Sequence, residues 1–173
     1  MDAIKVQANA AMQGFEAIPT HERLLSIAKA NNIEVLEADL FDISGALRKE
    51  GDVWRIYVNR QDSPQRKRFT IAHELGHFFL HTTEGTEFVD GYVFTRSDII
   101  RYGERELEAN EFAGNLVMPE SKVRELVTGA ITDETIVSLA RTFEVSPFAM
   151  ETRLKNLGLI NGPASSTPRP HTP

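Results

Sequence analysis

SPQRKRFTIAHELGHFFLH, residues 63–81, is the stretch that decides the fold. Ser63 can accept from the free amides of a helix start, and the fixed φ of Pro64 suits the first helical position. From there to His81 only Gly76 opposes a helix, at a cost of about 1 kcal/mol relative to Ala. At about 100° per residue, Arg66, Thr70, His73, Glu74, His77 and His81 share one arc about 100° wide. The rest of the circumference is mostly apolar, with Phe69, Ile71, Ala72, Leu75, Phe78, Phe79 and Leu80. A helix that apolar is buried, and its polar arc faces something polar inside the protein.

His73 and His77 stand one helical turn apart, so both imidazoles can reach one metal ion. Glu74 beside them can take a proton from water at that ion. Hydrolysis of a peptide bond at a zinc centre requires this set of groups. The competing reading is a pair of satisfied core histidines; the spacing, together with Glu74, favours the metal. His81 lies eight residues, or about 12 Å, beyond His73 along the axis. With bonds of about 2 Å, one ion is not expected to gather all three. His81 is therefore a group behind the ligands, a substrate-side group, or a structural residue. Gly76 either admits a neighbouring backbone or is incidental.

A catalytic zinc usually keeps three protein ligands and one open position. The chain has no Cys, and His21 and His171 fall in an expected loop and a Pro-rich tail. The third ligand is therefore expected to be a carboxylate. Residues 103–118 (GERELEANEFAGNLVM) read as a helix stopped by Pro119. On its wheel Ala109, Ala113, Leu116 and Val117 define an apolar arc that also contains Glu106 and Asn110. A polar residue on a buried face needs a partner. A metal gives Glu106 one; an Arg such as Arg68 is the alternative. Asn110, one turn later, can orient His73 or His77 through the free ring nitrogen. Glu104, Glu108 and Glu111 lie on the opposite side with Asn115, and the three glutamates read as a solvated face.

With both helices placed, the chain resembles the ImmA/IrrE family of metallopeptidases. The resemblance rests on Ile56-Tyr57-Val58-Asn59, on residues 66–81, and on Glu106-Leu107-Glu108-Ala109-Asn110-Glu111-Phe112-Ala113 followed by Leu116-Val117-Met118-Pro119. It continues more weakly in Leu139-Ala140, Phe143, Val145-Ser146 and Arg153-Leu154, and covers most of residues 20–160. The pattern of Glu106, Ala109 and Asn110 also resembles the third-ligand helix of other Glu-ligand zinc peptidases. The resemblance implies a bacterial, phage or mobile-element endopeptidase dependent on Zn²⁺, with Mn²⁺ also suited to two His and one Glu. It further implies a partner substrate, a helix-turn-helix repressor encoded nearby, whose cleavage relieves repression after DNA damage or another stress. On this reading His73, His77 and Glu106 hold the metal, Glu74 is the catalytic base, and Asn110 supports a ligand. His81, Asn59 and Tyr102 are the substrate-side candidates, Asn59 with the alternative that it simply makes a turn at the end of its strand. Residues 82–102 match weakly and are expected to border the cleft.

At 173 residues and 41% hydrophobic content the chain can bury one core. It has no run of 18 apolar residues and no signal-peptide pattern at Met1-Asp2-Ala3-Ile4-Lys5. Zero Cys suits a reducing cytoplasm. A formal charge of −6 argues against non-specific nucleic-acid binding, which needs Lys and Arg. The basic run Arg66-Lys67-Arg68 either guides an acidic substrate segment or is a solvated first turn.

Residues 1–18 lack a strong pattern and are expected to form a mobile arm. A helix is expected over 21–30, capped by Thr20, and short strands over 33–36, 43–47 and 53–58. The polar stretch 48–52, with Gly51, predicts a hairpin between the last two. The expected class is therefore α+β: a mainly helical, zincin-like core with a small antiparallel sheet, whose edge could take an extended substrate by strand addition. Helices over 120–127, 133–143 and 147–157 follow, the last two resembling a helix-turn-helix. The expected division is an arm to 18, a metallopeptidase domain over 19–128, the helix-turn-helix-like segment over 129–160, and a disordered Pro-rich tail over 161–173. Residues 131–160 carry three basic residues against four acids. That balance favours packing or partner docking over DNA binding. The functional rival to a peptidase is a non-enzymatic regulator that titrates a repressor or acts in a toxin–antitoxin pair.

Overall fold

Gly51 makes the hairpin. β2 (Gly45–Glu50) and β3 (Val53–Asn59) pair antiparallel from Gly45↔Val58 to Glu50↔Val53, leaving Gly51 and Asp52 as a two-residue connection. Gly51 takes φ +63°, the left-handed conformation such tight turns need. The computed structural model describes residues 2–89 and 96–160, with side chains for 3–89 and 103–160.

The sheet has the order β1-β3-β2-β4, with β1 at Ile33–Ala38 and β4 at Glu87–Val89. It is mixed rather than antiparallel. β1 runs parallel to β3, from Ile33↔Trp54 to Ala38↔Asn59. The expected antiparallel sheet fails because residues 39–44 carry the chain past one strand position. Cross-strand chemistry holds β1 on β3: Arg55 Nε donates to the directly opposite Glu34 at 2.7 Å, and Arg60 reaches Asp39 at 3.0 Å. Asn59 ties down the crossing loop. Its side-chain nitrogen donates to the carbonyls of Phe41 (3.1 Å) and Ile43 (2.9 Å).

α3 (Pro64–His81) begins as expected, with the Ser63 hydroxyl accepting from the Arg66 amide and Pro64 in the first turn. It packs on the sheet and on α4 (Arg96–Val117). α2 (Thr20–Ala30) lies against β1 and α3. Thr20 is its first helical residue, and no side chain caps it. The expected mobile arm is instead a helix, α1 (Asp2–Met12), which packs on α4 and buries Ala8 and Met12. Ala8 and Ala11 make up much of its inward side, a weak periodic signal that still buries surface. Leu24, Ile27, Leu47, Ile56, Leu75 and Phe112, from α2, β2, β3, α3 and α4, are all fully buried and form the core.

The chain divides into two compact units, Met1–Pro119 and Glu120–Pro173. The division falls after Pro119, not at the expected 128, so α5 (Glu120–Leu126) goes with the second unit. There the Arg124 guanidinium donates to the Leu157 carbonyl at 3.0 Å. α6 (Asp133–Thr142) starts with a capping box between Thr132 and Thr135. α7 (Pro147–Asn156) follows a four-residue connection and is capped by Ser146. Leu139, Ala140, Met150 and Leu154 bury the faces of this pair. The expected tail, 161–173, lies outside the described residues. Among the described residues no helix is long and apolar enough to cross a membrane.

Candidate metal centre

Two helices meet where their side chains are smallest. A Cβ added to Gly76 would lie 2.9 Å from the Cα of Ala109, so α3 and α4 touch backbone to backbone. Gly76 is thus a close-approach residue. Glu106 lies one turn before Ala109, and the crossing swings it onto the imidazole face of α3. Its Oε2 is 3.1 Å from His73 Nε2, and its Oε1 is 3.1 Å from His77 Nε2. The two Nε2 atoms are 3.0 Å apart. Tetrahedral bonds of 2.0–2.1 Å put ligand atoms about 3.3 Å from one another. The Nε2–Nε2 separation and the contact of each Nε2 with its own Glu106 oxygen are thus close to the ligand spacing of a tetrahedral zinc-type site. Among the described residues His73, His77 and Glu106 are the one such group whose ligand atoms converge.

The hydrogen bonds behind these three groups fix what they can hold. His73 Nδ1 donates to the side-chain oxygen of Asn110 at 3.1 Å, which leaves Nε2 with its lone pair in the neutral ring. Of the two partners open to Asn110 in the sequence, the structure selects His73. His77 Nδ1 stands 3.0 Å from His81 Nδ1, and His81 Nε2 donates to Glu108 Oε2 at 2.9 Å. A carboxylate only accepts, so a neutral His81 carries its proton on Nε2. Its Nδ1 then accepts from His77 Nδ1–H, and His77 Nε2 is left as a lone pair too. Two lone pairs 3.0 Å apart, each 3.1 Å from one oxygen of the Glu106 carboxylate, repel unless a proton or a cation sits between them.

Burial argues for the cation. His77 is almost wholly buried, and burial lowers its pKa below the ordinary histidine value, partly offset by Glu106. Burial pushes the Glu106 carboxyl up, but its contacts to His73 and His77 outweigh this and hold it at about 2. An anionic Glu106 beside His77, an imidazole that resists protonation, suits a divalent metal as a donor set.

Glu74 is fully buried. β2 crosses over it at Gly45, where an added Cβ would lie 2.3 Å from Thr70 Cγ2 and 2.8 Å from Glu74 Oε1. The Phe88 ring stacks on His77 with centroids 5.1 Å apart and planes 11° apart. Part of the weakly matching segment 82–102 thus lies against His77. The substrate-side candidates fall differently. His81 is buried, with both ring nitrogens engaged behind His77. Asn59 is buried too; besides its two loop bonds, its oxygen accepts from the Gln61 amide at 3.1 Å, so it is a turn residue. The Tyr102 side chain lies outside the described residues. In the basic run, Arg66 bonds Ser44 Oγ at 2.9 Å and Lys67 bonds Glu37 at 2.8 Å, so these two charges are engaged within the chain.

Three contributors escaped the sequence reading. Gly45 carried a signal, since an interior strand glycine often marks a close approach. Phe88 carried none, because its strand is three residues long. Glu108 sits on the arc assigned to solvent and is half-exposed, yet it bonds a buried histidine.

Comparison with known proteins agrees with this geometry. Residues 28–155 match the family model described as the IrrE N-terminal-like domain, a peptidase family. The chain is also 28% identical over 145 residues to the metallopeptidase ImmA of Bacillus subtilis (strain 168), covering 82% of this chain and 81% of that protein. A match over most of the length, with convergent imidazoles and a carboxylate inside it, places the chain in the IrrE N-terminal-like family of metallopeptidases.

Proposed function

We propose that this chain is a zinc-dependent endopeptidase that cuts a helix-turn-helix repressor encoded beside it and so relieves repression under stress. One observation carries the catalytic part: both ligand imidazoles have Nδ1 engaged from behind, leaving Nε2 lone pairs that converge with Glu106. His73, His77 and Glu106 hold the ion. When bound, the ion supplies Lewis acidity that acidifies a water and polarises the scissile carbonyl.

The remaining steps belong to side chains. Glu74, shielded from bulk solvent, accepts a proton from the attacking water as its oxygen bonds to the carbonyl carbon. The carbon–nitrogen bond then breaks, and Glu74 returns the proton to the departing amine. Asn110 holds His73 in the tautomer that presents Nε2. Gly45 leaves the space that the Glu74 carboxylate occupies. The C-terminal pair α6 and α7 is a helix-turn-helix-like module without excess positive charge, suited to a protein partner. Absence of cysteine suits work in the reducing cytoplasm.

The test is co-incubation with that repressor, comparing wild type with Glu74→Gln under added Zn²⁺ or Mn²⁺. One discrete cut by wild type alone is expected. A stable complex with both proteins and no cut with either would replace the peptidase by a regulator that titrates its partner.

A further inference from the structure

His81 and Glu108 are the polar groups at the centre that the proposed mechanism leaves without a task. His81 is 3% exposed, bonds His77 Nδ1 at 3.0 Å, and bonds Glu108 at 2.9 Å. Glu108 lies on α4, two residues beyond the ligand Glu106, and its side chain is 49% exposed. The Phe88 ring screens this row, 5.1 Å from His77 and 6.1 Å from His81, centroid to centroid.

We infer that Glu108 and His81 are positioning residues, which hold the His77 proton on Nδ1 so that Nε2 faces the metal. This rests on the metal-centre reading. For Nε2 to carry a lone pair in a neutral ring, the proton must sit on Nδ1 and find an acceptor there. In other proteins a carboxylate or carbonyl usually receives that proton directly. Here a second imidazole is interposed, and it can accept on Nδ1 only while its own proton lies on Nε2. The Glu108 carboxylate, which can only accept, selects that form. A surface carboxylate thus dictates, through one ring, which nitrogen of a buried ligand is free. Asn110 does the same for His73 directly, so both ligands are oriented by residues of α4.

The experiment measures Zn²⁺ affinity by chelator competition for wild type, Glu108→Ala, Glu108→Gln, His81→Leu and His81→Gln, alongside the melting temperature of each metal-free protein. The ¹⁵N spectrum of the metal-free imidazoles adds the tautomers. Loss of an outer partner typically weakens a site 10- to 100-fold, so Glu108→Ala and His81→Leu are expected to lose about that much. Glu108→Gln and His81→Gln keep an acceptor at the needed place and should recover most of it. Glu108→Ala should melt like wild type, because the side chain is half-exposed. His77 Nδ1 should carry a proton throughout in wild type and lose it in part of the Glu108→Ala molecules, whatever the state of Nε2. Unchanged affinity and an unchanged tautomer in Glu108→Ala would overturn the inference while leaving the metal centre standing. Failure of the wild type itself to bind Zn²⁺ would instead remove the centre on which the inference rests.

Discussion

Glu74 and Glu106 are both glutamates next to the same two imidazoles, and they should fail in different ways. On the proposed mechanism Glu74→Gln removes a general base without removing a ligand, so Zn²⁺ should bind as before while the cleavage rate falls about 10²- to 10⁴-fold. Glu106→Gln removes an anionic ligand and should lose the metal together with activity; metal content after gel filtration separates the two variants. Acidity acts on the same atoms. The pKa of His77 lies below its ordinary value of 6.5 and that of Glu106 below its ordinary 4.5, at about 2. A group whose pKa is depressed by folding stabilises the native state above its unfolded value and withdraws that support as pH falls. Stability of the metal-free protein should therefore fall below about pH 6.5 for His77, and further between 4.5 and about 2 for Glu106. Metal should leave over the upper part of this range, because protons compete for Nε2. Denaturant midpoints followed from pH 8 down to 2, and bound metal from pH 8 down to 4, test the sign; tighter binding at pH 5 than at pH 8 would contradict it.

Elements differ in how far the sequence reveals them. α3 was legible to its cap because Ser63, Pro64 and a 3.6-residue apolar period are local signals. The β2–β3 hairpin was legible from Gly51 for the same reason. The Glu106 phase followed from its place among Ala109, Ala113 and Leu116, a pattern within one helix. What was not legible depends on partners distant in sequence. Nothing in residues 33–38 says that they pair parallel with β3 rather than antiparallel with β2. A helical wheel placed Glu108 on a polar arc but could not show that His81 comes to meet it. Gly45 is the element-scale case with a direct test. Gly45→Val would drive side-chain atoms into Thr70 and Glu74. Overpacking of this kind costs about 1–3 kcal/mol. The expected result is a lower melting temperature together with loss of cleavage beyond what the stability change explains.

At the scale of the molecule, His73, His77, Glu106 and Glu74 lie in the unit that ends at Pro119, and they come from two helices. A metal bound there clasps α3 to α4 and should stabilise that unit by mass action. At 100 times Kd the gain is about 2.7 kcal/mol. For a protein of this size that is on the order of 5–10 °C in Tm. Calorimetry with Zn²⁺ and then with chelator should show the rise and its reversal. The contact between Gly76 and Ala109 carries a further consequence, for which ions the site admits. The 2.9 Å approach that a Cβ would make there is at least 0.5 Å inside ordinary packing, which begins at 3.4 Å. A methyl group on Gly76 must therefore push the helices apart, and with them Glu106 from the imidazoles. Metal–ligand bonds tolerate only about 0.2 Å. The bare backbone of Gly76 is in this sense a caliper set to a small cation. Gly76→Ala should open it, weakening Zn²⁺ and shifting preference toward a larger ion such as Mn²⁺.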